Sequence, residues 1–328
     1  MRILIIGGTR FVGRHIAEAA LASGHDLTLL HRGSSQPDSL ADAEHLLTDR
    51  DGDLSVLAGR SFDATIDVCA YWPRQVRAVA AALEDRGGQH VYISSVSAYA
   101  DPDRPGADES TPLATTDADD PDALEMTAEA YGPLKALCER AAVEAYGADA
   151  VTIVRPSYVV GPYDPTGRFT WWVDRLTRSG PVLCPGPADS PMQLIDARDQ
   201  AEWVVGLVES GTTGAFHACS PAPPWSFADM IAAIGATLDG AAEPIWVDGK
   251  ALIDDGVDGG DLPLWSEGAD EQGLALDPGA AVRTGLTPRP VADTIRDTAD
   301  WMATAQWRRD GVGLDPRREA ELLERLGG

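Results

Sequence analysis

The chain has 328 residues, 44% of them hydrophobic, and a formal net charge of −26, so it can bury a sizeable core in one large or two moderate domains. Such acidity repels phosphate backbones and speaks against a nucleic-acid role, since no basic patch offsets it. The sequence has no apolar run of eighteen residues and no Cys-x-x-Cys pair, which argues against a membrane span, zinc or disulfides and fits a reducing cytoplasm.

In chain order, residues 2–6 (RILII) read as an apolar strand that runs into a glycine-bearing turn at 7–13. Residues 11–21 carry apolar side chains at helical spacing, Gly24 closes that helix, and 26–30 is the next strand. A short third strand is predicted at 46–47 and a fourth at 64–68, followed by a helix over about 74–84. A fifth strand, 90–94, ends in serines. The stretch 100–130 is rich in Asp, Pro, Thr and Ala, with Arg104 as its single basic residue, and is expected to border the mouth of a site. A helix bearing Tyr131 and Lys135 follows, then a strand at 150–154. Strands alternating with helices of this length imply a doubly wound parallel α/β sheet. Beyond residue 160 the pattern is irregular, and eight of the nine tryptophans follow residue 170, which predicts a second lobe built differently.

Lysine is scarce, with two against 24 arginines, and Lys135 stands four residues after Tyr131. On a helix that spacing puts phenol and ammonium on one face, about 5–6 Å apart at Cβ. A cation there favours the phenolate and lowers the tyrosine pKa from about 10, making the pair a candidate proton-transfer device. Pro133 lacks an N–H and is expected in the first helical turn, which would place Tyr131 near the helix start. Upstream, Gly7-Gly8-Thr9-Arg10-Phe11-Val12-Gly13 follows a strand and opens a helix, the setting that a dinucleotide-binding turn requires. After the second strand, where a carboxylate would hold the ribose of NAD, the chain has His31 and Arg32. Arg32 with Arg10 forms a candidate clamp for a 2′-phosphate, so NADP is favoured over NAD.

These pieces, together with Ser94-Ser95-Val96-Ser97-Ala98-Tyr99, YGPLK at 131–135, RPSYVVGP at 155–162, QLIDARD at 193–199 and GLTPRP at 285–290, resemble an extended short-chain dehydrogenase/reductase of the NAD-dependent epimerase/dehydratase family. The resemblance implies a Rossmann domain over 1–160, with return segments near 190–220 and 285–305, and a smaller C-terminal substrate-binding lobe formed mainly by 161–328. It makes Tyr131 the general acid/base and Lys135 the group that holds the nicotinamide ribose and lowers the tyrosine pKa. Ser95 would hydrogen-bond the reacting oxygen, with Ser94 and Ser97 as rivals. Hydride transfer to a carbonyl builds alkoxide charge, and these roles meet that need for a proton donor and a hydrogen bond.

The resemblance further implies cofactor contacts from Gly7, Thr9, Arg10, Phe11, Val12 and Gly13, from His31, Arg32, Asp49 and Arg50, and from Ala70, Tyr71, Lys135, Pro156 and Ser157. Substrate contacts are expected from Tyr71, Trp72, Ser97, Tyr158, Arg168 and Trp172. Trp171, Trp225 and Trp246 are further stacking candidates, and Arg178 and Arg198 could join Arg168 on a diphosphate. His217 reads as structural, and no metal is expected.

Two departures from the family pattern matter. Arg10 replaces a glycine common among extended members, which supports NADP. Val96-Ser97 stands where sugar 4,6-dehydratases carry Asp-Glu, which argues against dehydration of a nucleotide sugar. The leading expectation is an oxidoreductase acting on a carbonyl or secondary alcohol of a small molecule. A nucleotide-sugar epimerase with tightly bound cofactor is the alternative, and a non-catalytic cofactor-sensing or RNA-binding relative the third. The cysteine pattern and the charge lead to the expectation of a cytoplasmic protein with no nucleic-acid or membrane partner, and the resemblance implies a homodimer.

Overall fold

Ile3, Leu4, Ile5 and Ile6 are all fully buried, because β1 (Arg2–Ile6) runs inside a sheet covered on both faces. The computed structural model describes residues 1–101, 104, 106–265, 275–305, 307 and 311–327. After β1 come α1 (Phe11–Ala22), β2 (Asp26–His31), β3 (Glu44–Leu47), β4 (Ala64–Asp67), α2 (Pro73–Leu83), β5 (Gln89–Ile93), α3 (Ala128–Tyr146) and β6 (Val151–Pro156). The chain continues through β7 (Tyr158–Val160), α4 (Arg168–Leu176), β8 (Gly180–Pro185), β9 (Pro191–Asp196), α5 (Ala197–Ser210) and β10 (Gly214–Ala218). The last stretch holds β11 (Ser220–Ser226), α6 (Phe227–Thr237), β12 (Ala242–Val247), α7 (Gly249–Asp254), α8 (Gly279–Arg283), α9 (Val291–Ala305) and α10 (Pro316–Leu326).

The main sheet has seven parallel strands in the order β10-β6-β5-β4-β1-β2-β3, a Rossmann-like arrangement. Its order reverses between β1 and β4, and such a switch point leaves a crevice at the carboxyl ends of the strands. The predicted strands all appear, the first at its expected bounds and the others differing by a residue or two at an end. Segment 190–220 returns only in part: α5 packs along α1 and β10 closes the sheet edge, whereas β9 pairs with β7 and β11 in a second sheet. β8 and β12 form a third, two-stranded sheet.

The smaller lobe has its own core around Phe169, Trp171, Trp172, Phe227 and Trp265. Trp172 is fully buried, and its indole N–H donates to the Pro263 carbonyl at 2.6 Å. That corrects the expectation of a substrate contact at Trp172. An aromatic run on α4 serves packing.

α3 begins at Ala128 because the Thr127 hydroxyl caps it, accepting from the Ala130 N–H at 3.2 Å. Tyr131 is therefore the fourth helical residue, and Pro133 lies in the second turn, not the first as expected. On β5, His90 is fully buried and stacks on Tyr146 with ring centroids 4.1 Å apart. Neither of its ring nitrogens has a hydrogen-bond partner among the described residues. No helix among the described residues is long and apolar enough to cross a membrane.

Candidate active site

A cavity of about 1190 Å³ opens at the switch point. Its wall takes in Gly7 and Thr9–Val12, His31, Arg32, Asp49 and Arg50, then Tyr71, Trp72, Ser94 to Ser97, Tyr131, Lys135, Pro156, Ser157, Tyr158 and Arg168. Two predicted cofactor residues stand behind the wall. A Cβ on Gly13 would come within 2.3 Å of the Gly7 carbonyl oxygen, so glycine is what lets α1 close against the turn. Ala70 is fully buried, and its carbonyl accepts from the Tyr92 hydroxyl at 2.9 Å.

α1 starts with no side-chain cap and no acid in its first turn, so its open N–H groups fit a pyrophosphate. Ser157 Oγ is buried in the wall with no partner among the described residues, a polar atom that a ligand could satisfy. Arg10 and Arg32 are exposed on the wall and have no acidic partner among the described residues. Two other expectations need correcting. His31 Nδ1 accepts from the Gly33 N–H at 3.1 Å, and its Nε2 bonds His45 Nδ1 at 2.8 Å, so the ring supports the Arg32–Gly33 turn and has no hydrogen bond left for a cofactor. Burial, then the neighbouring His45, lowers the pKa of His31. Arg50 is bidentate on buried Asp67 at 2.7 and 2.8 Å, so it braces the wall and is not a free anion ligand. Asp49 lines the wall while accepting from the Asp51 N–H at 3.0 Å.

At the other end, the Lys135 ammonium is buried and donates to the carbonyls of Ile93 at 2.8 Å and Ala70 at 3.3 Å. An ammonium has three donors, so one remains. Burial pulls the pKa of Lys135 down to about 8, against the opposing charges of Cys138 and Asp67. Tyr131 departs from expectation. Burial raises its pKa, and its contact with the Ser95 hydroxyl offsets only part of that rise. The ammonium lies 6.0 Å from the Tyr131 ring centroid, and burial is the largest influence on the phenol.

The three serines separate by their partners. Ser94 donates to Glu139 at 2.5 Å and is committed there. Ser95 Oγ accepts from the Ser97 N–H at 3.1 Å and donates to Ser97 Oγ at 3.1 Å, which leaves it beside Tyr131. A Cβ on Gly132 would meet the Ser97 carbonyl oxygen at 2.2 Å. Only glycine there lets α3 press against the 3-10 turn Val96–Ala98, and that approach brings Tyr131 to Ser95.

Tyr71, Trp72, Ser97, Tyr158 and Arg168 stand together on the remaining wall, with the Tyr71 and Tyr131 rings 6.4 Å apart. The Trp72 indole donates to the Leu124 carbonyl at 2.9 Å, and Asp122 accepts from the Arg74 N–H at 2.7 Å, so part of the acidic loop does border the mouth. Arg178 and Arg198 are elsewhere, paired with Asp174 and with Asp196 and Asp297. Trp171, Trp225 and Trp246 are also outside the cavity lining.

A buried network behind the site went unread in the sequence. Glu139 takes Arg155 Nε at 3.0 Å and Nη2 at 2.7 Å, while Arg155 Nη1 donates to Tyr99 Oη at 2.7 Å. Tyr99 therefore donates its proton to His217 Nε2 at 2.5 Å, and His217 Nδ1–H donates to the Asp277 carbonyl at 3.0 Å. His217 is structural, as expected, with its pKa lowered by burial. Glu139 follows Lys135 by four residues, the same spacing that drew attention to Tyr131.

A family model described as "NAD dependent epimerase/dehydratase family" matches residues 3–70 and 74–217. Among curated proteins, the chloroplast stem-loop binding protein of 41 kDa b from Arabidopsis thaliana is 28% identical over 217 residues. That match covers 61% of this chain and 53% of the relative, about half its length. Among solved structures, a putative epimerase from Burkholderia cenocepacia superposes with a TM-score of 0.69 at 20% identity, covering 92% of this chain and 98% of that one. UDP-glucose 4-epimerase from Thermotoga maritima gives 0.68 at 14% identity, covering 94% and 100%. The Bordetella bronchiseptica enzyme WbmH, solved in complex with NAD+, gives 0.67 at 16%, covering 92% and 98%. At such identities these likenesses establish the fold alone.

Proposed function

The chain belongs to the NAD dependent epimerase/dehydratase family, and we propose that within it this protein is an NADP-dependent oxidoreductase acting on a carbonyl or secondary alcohol. One observation carries the reading: Ser95, Tyr131 and Lys135 line the same cavity as the glycine turn and the unpaired Arg10 and Arg32. The nicotinamide cofactor, when bound, supplies or accepts the hydride. The backbone of Gly7 to Val12 and the start of α1 would hold its pyrophosphate, and Arg10 and Arg32 its 2′-phosphate. The remaining donor of Lys135 would hold the ribose. In reduction, the Tyr131 hydroxyl gives its proton to the substrate oxygen as the carbon gains hydride, while Ser95 hydrogen-bonds that oxygen. With its pKa near 8, Lys135 is charged at neutral pH and opposes the cost of the phenolate that results.

The substrate wall favours a small substrate over a nucleotide diphosphate, because among the described residues Arg168 is the one arginine there. The epimerases among the structural relatives favour a second reading, in which the cofactor stays bound and the hydride returns to the other face of a sugar carbon. Comparing NADPH and NADH affinities, then NADPH consumption on a carbonyl panel, separates the two. Tight co-purified nicotinamide with no net NADPH consumption would decide for epimerisation. Tyr131→Phe should lower kcat by about 10²–10⁴-fold while cofactor affinity holds, and full turnover in that variant would refute the assignment. The stem-loop binding relative keeps an RNA gel shift worth running, although the −26 charge opposes such binding.

A further inference from the structure

Among the described residues the cavity wall holds four arginines, of which Arg50 alone forms an ion pair. In a chain with 52 acidic residues against 26 basic ones, Arg10, Arg32 and Arg168 form no ion pair among the described residues, which needs a reason. The first two fall at the adenosine end. Arg168 does not. It shares the far wall with Tyr71, Trp72, Tyr158 and Thr166; the acids of the lining among the described residues are Asp49 and Asp51, and the Asp51 carboxylate is taken up by Gln75 Nε2 at 2.8 and 3.0 Å.

The geometry of Arg168 is that of a prepared anion fork. Its guanidinium carbon sits 5.2 Å over the Tyr158 ring, and its Nε donates to Thr166 Oγ1 at 3.3 Å. Both Nη groups lack partners among the described residues, so the two-pronged edge suited to a carboxylate is open. Asp164 feels the Arg168 charge, but it is buried and already accepts from the Thr166 N–H at 2.8 Å and hydroxyl at 2.7 Å, with no ion pair to Arg168. Arg168 is close enough to Tyr131 for its charge to oppose the burial that raises the phenol's pKa. The overall charge of −26 repels anions, so an anionic substrate gains most from one local cation. A neutral substrate gives that cation nothing to bind. Tyr71, 38% exposed, and Trp72 offer aromatic faces between the two polar ends.

We propose that the substrate is an aromatic or otherwise apolar carbonyl compound bearing a carboxylate, with the carboxylate on Arg168 and the reacting oxygen on Tyr131 and Ser95. This rests on the oxidoreductase reading for the carbonyl and on Arg168 alone for the carboxylate. The test is calorimetric binding of 4-acetylbenzoate and of its uncharged counterpart 4-acetylbenzamide to the NADP+-loaded protein. The acid should bind about ten- to hundredfold tighter than the amide, the range expected for a charge-assisted hydrogen-bond pair. Arg168→Gln should erase that preference and Arg168→Lys should keep part of it, both with unchanged NADP+ affinity. Equal affinity of the native protein for acid and amide would overturn the proposal. So would a preference that survives in Arg168→Gln, or an acid that fails to bind at millimolar concentration. Acid-selective binding with no ketone consuming NADPH would refute the oxidoreductase reading and leave the carboxylate site standing.

Discussion

His90 offers a measurement in which one side chain isolates one contribution to stability. It is fully buried on β5, stacked on Tyr146, with both ring nitrogens unpartnered among the described residues. Burial drops its pKa from 6.5 to about 4. As pH falls, the unfolded chain therefore takes up this proton before the native chain does, so stability is full above about 6.5 and drains away down to about 4. Near pH 5 the loss from this one group is about 2 kcal/mol relative to pH 7. His90→Phe keeps the stacked ring and removes the titration. The substitution should also stabilise the protein near neutrality by about 1–2 kcal/mol, because two desolvated polar atoms disappear. Urea unfolding of both proteins at a series of pH values would show the advantage of the variant widening by about 2 kcal/mol between pH 7 and pH 5. Parallel pH curves for the two proteins would refute the argument, whatever the constant offset between them.

Gly132→Ala should destabilise by about 1–3 kcal/mol and lower kcat more than cofactor affinity, since the added methyl would displace α3 from Ser97 and take Tyr131 with it; unchanged kinetics would show that the close approach does not set the site. Replacing Arg32 with Ser should weaken NADPH by about tenfold while leaving NADH nearly unchanged, read by fluorescence titration. A matching loss for both cofactors would remove the argument for a 2′-phosphate clamp. Glu139→Leu strands the Arg155 guanidinium in the interior and should lower unfolding stability by about 3–5 kcal/mol in urea, whereas a loss below 1 kcal/mol would mean that water reaches Arg155.

The first 160 residues were legible because each strand and helix announces itself locally. Ile3 to Ile6 form an unbroken apolar run, and α1 repeats its apolar positions every three or four residues. The second sheet was not legible. β7 has three residues, and its partner β9 begins thirty-one positions after β7 ends, so no local period links them. Trp172 shows the limit for single residues, because nothing in its neighbourhood tells a core ring from a stacking platform. Arg50 and His31 were misread for a related reason. Their partners, Asp67 and His45, come from other strands and appear only once the sheet is assembled. For Tyr131 the motif was visible, but the direction of its pKa depends on desolvation, which spacing does not encode.

The packing of α5 along α1 also bears on how the chain is made. Ile16, Ala17 and Ala20 are fully buried in a cluster that includes Val204, Val205 and Leu207. Translation proceeds at about 5–20 residues per second, so the apolar face of α1 waits on the order of ten to forty seconds for its cover. A nascent chain halted near residue 160 would have neither α5 nor the edge strand β10. It would present a bare helix face and the open outer edge of β6 to every neighbouring polysome, a state that holdase chaperones recognise. Residues far along the chain thus decide whether the half that carries the glycine turn leaves the ribosome with its apolar surface covered.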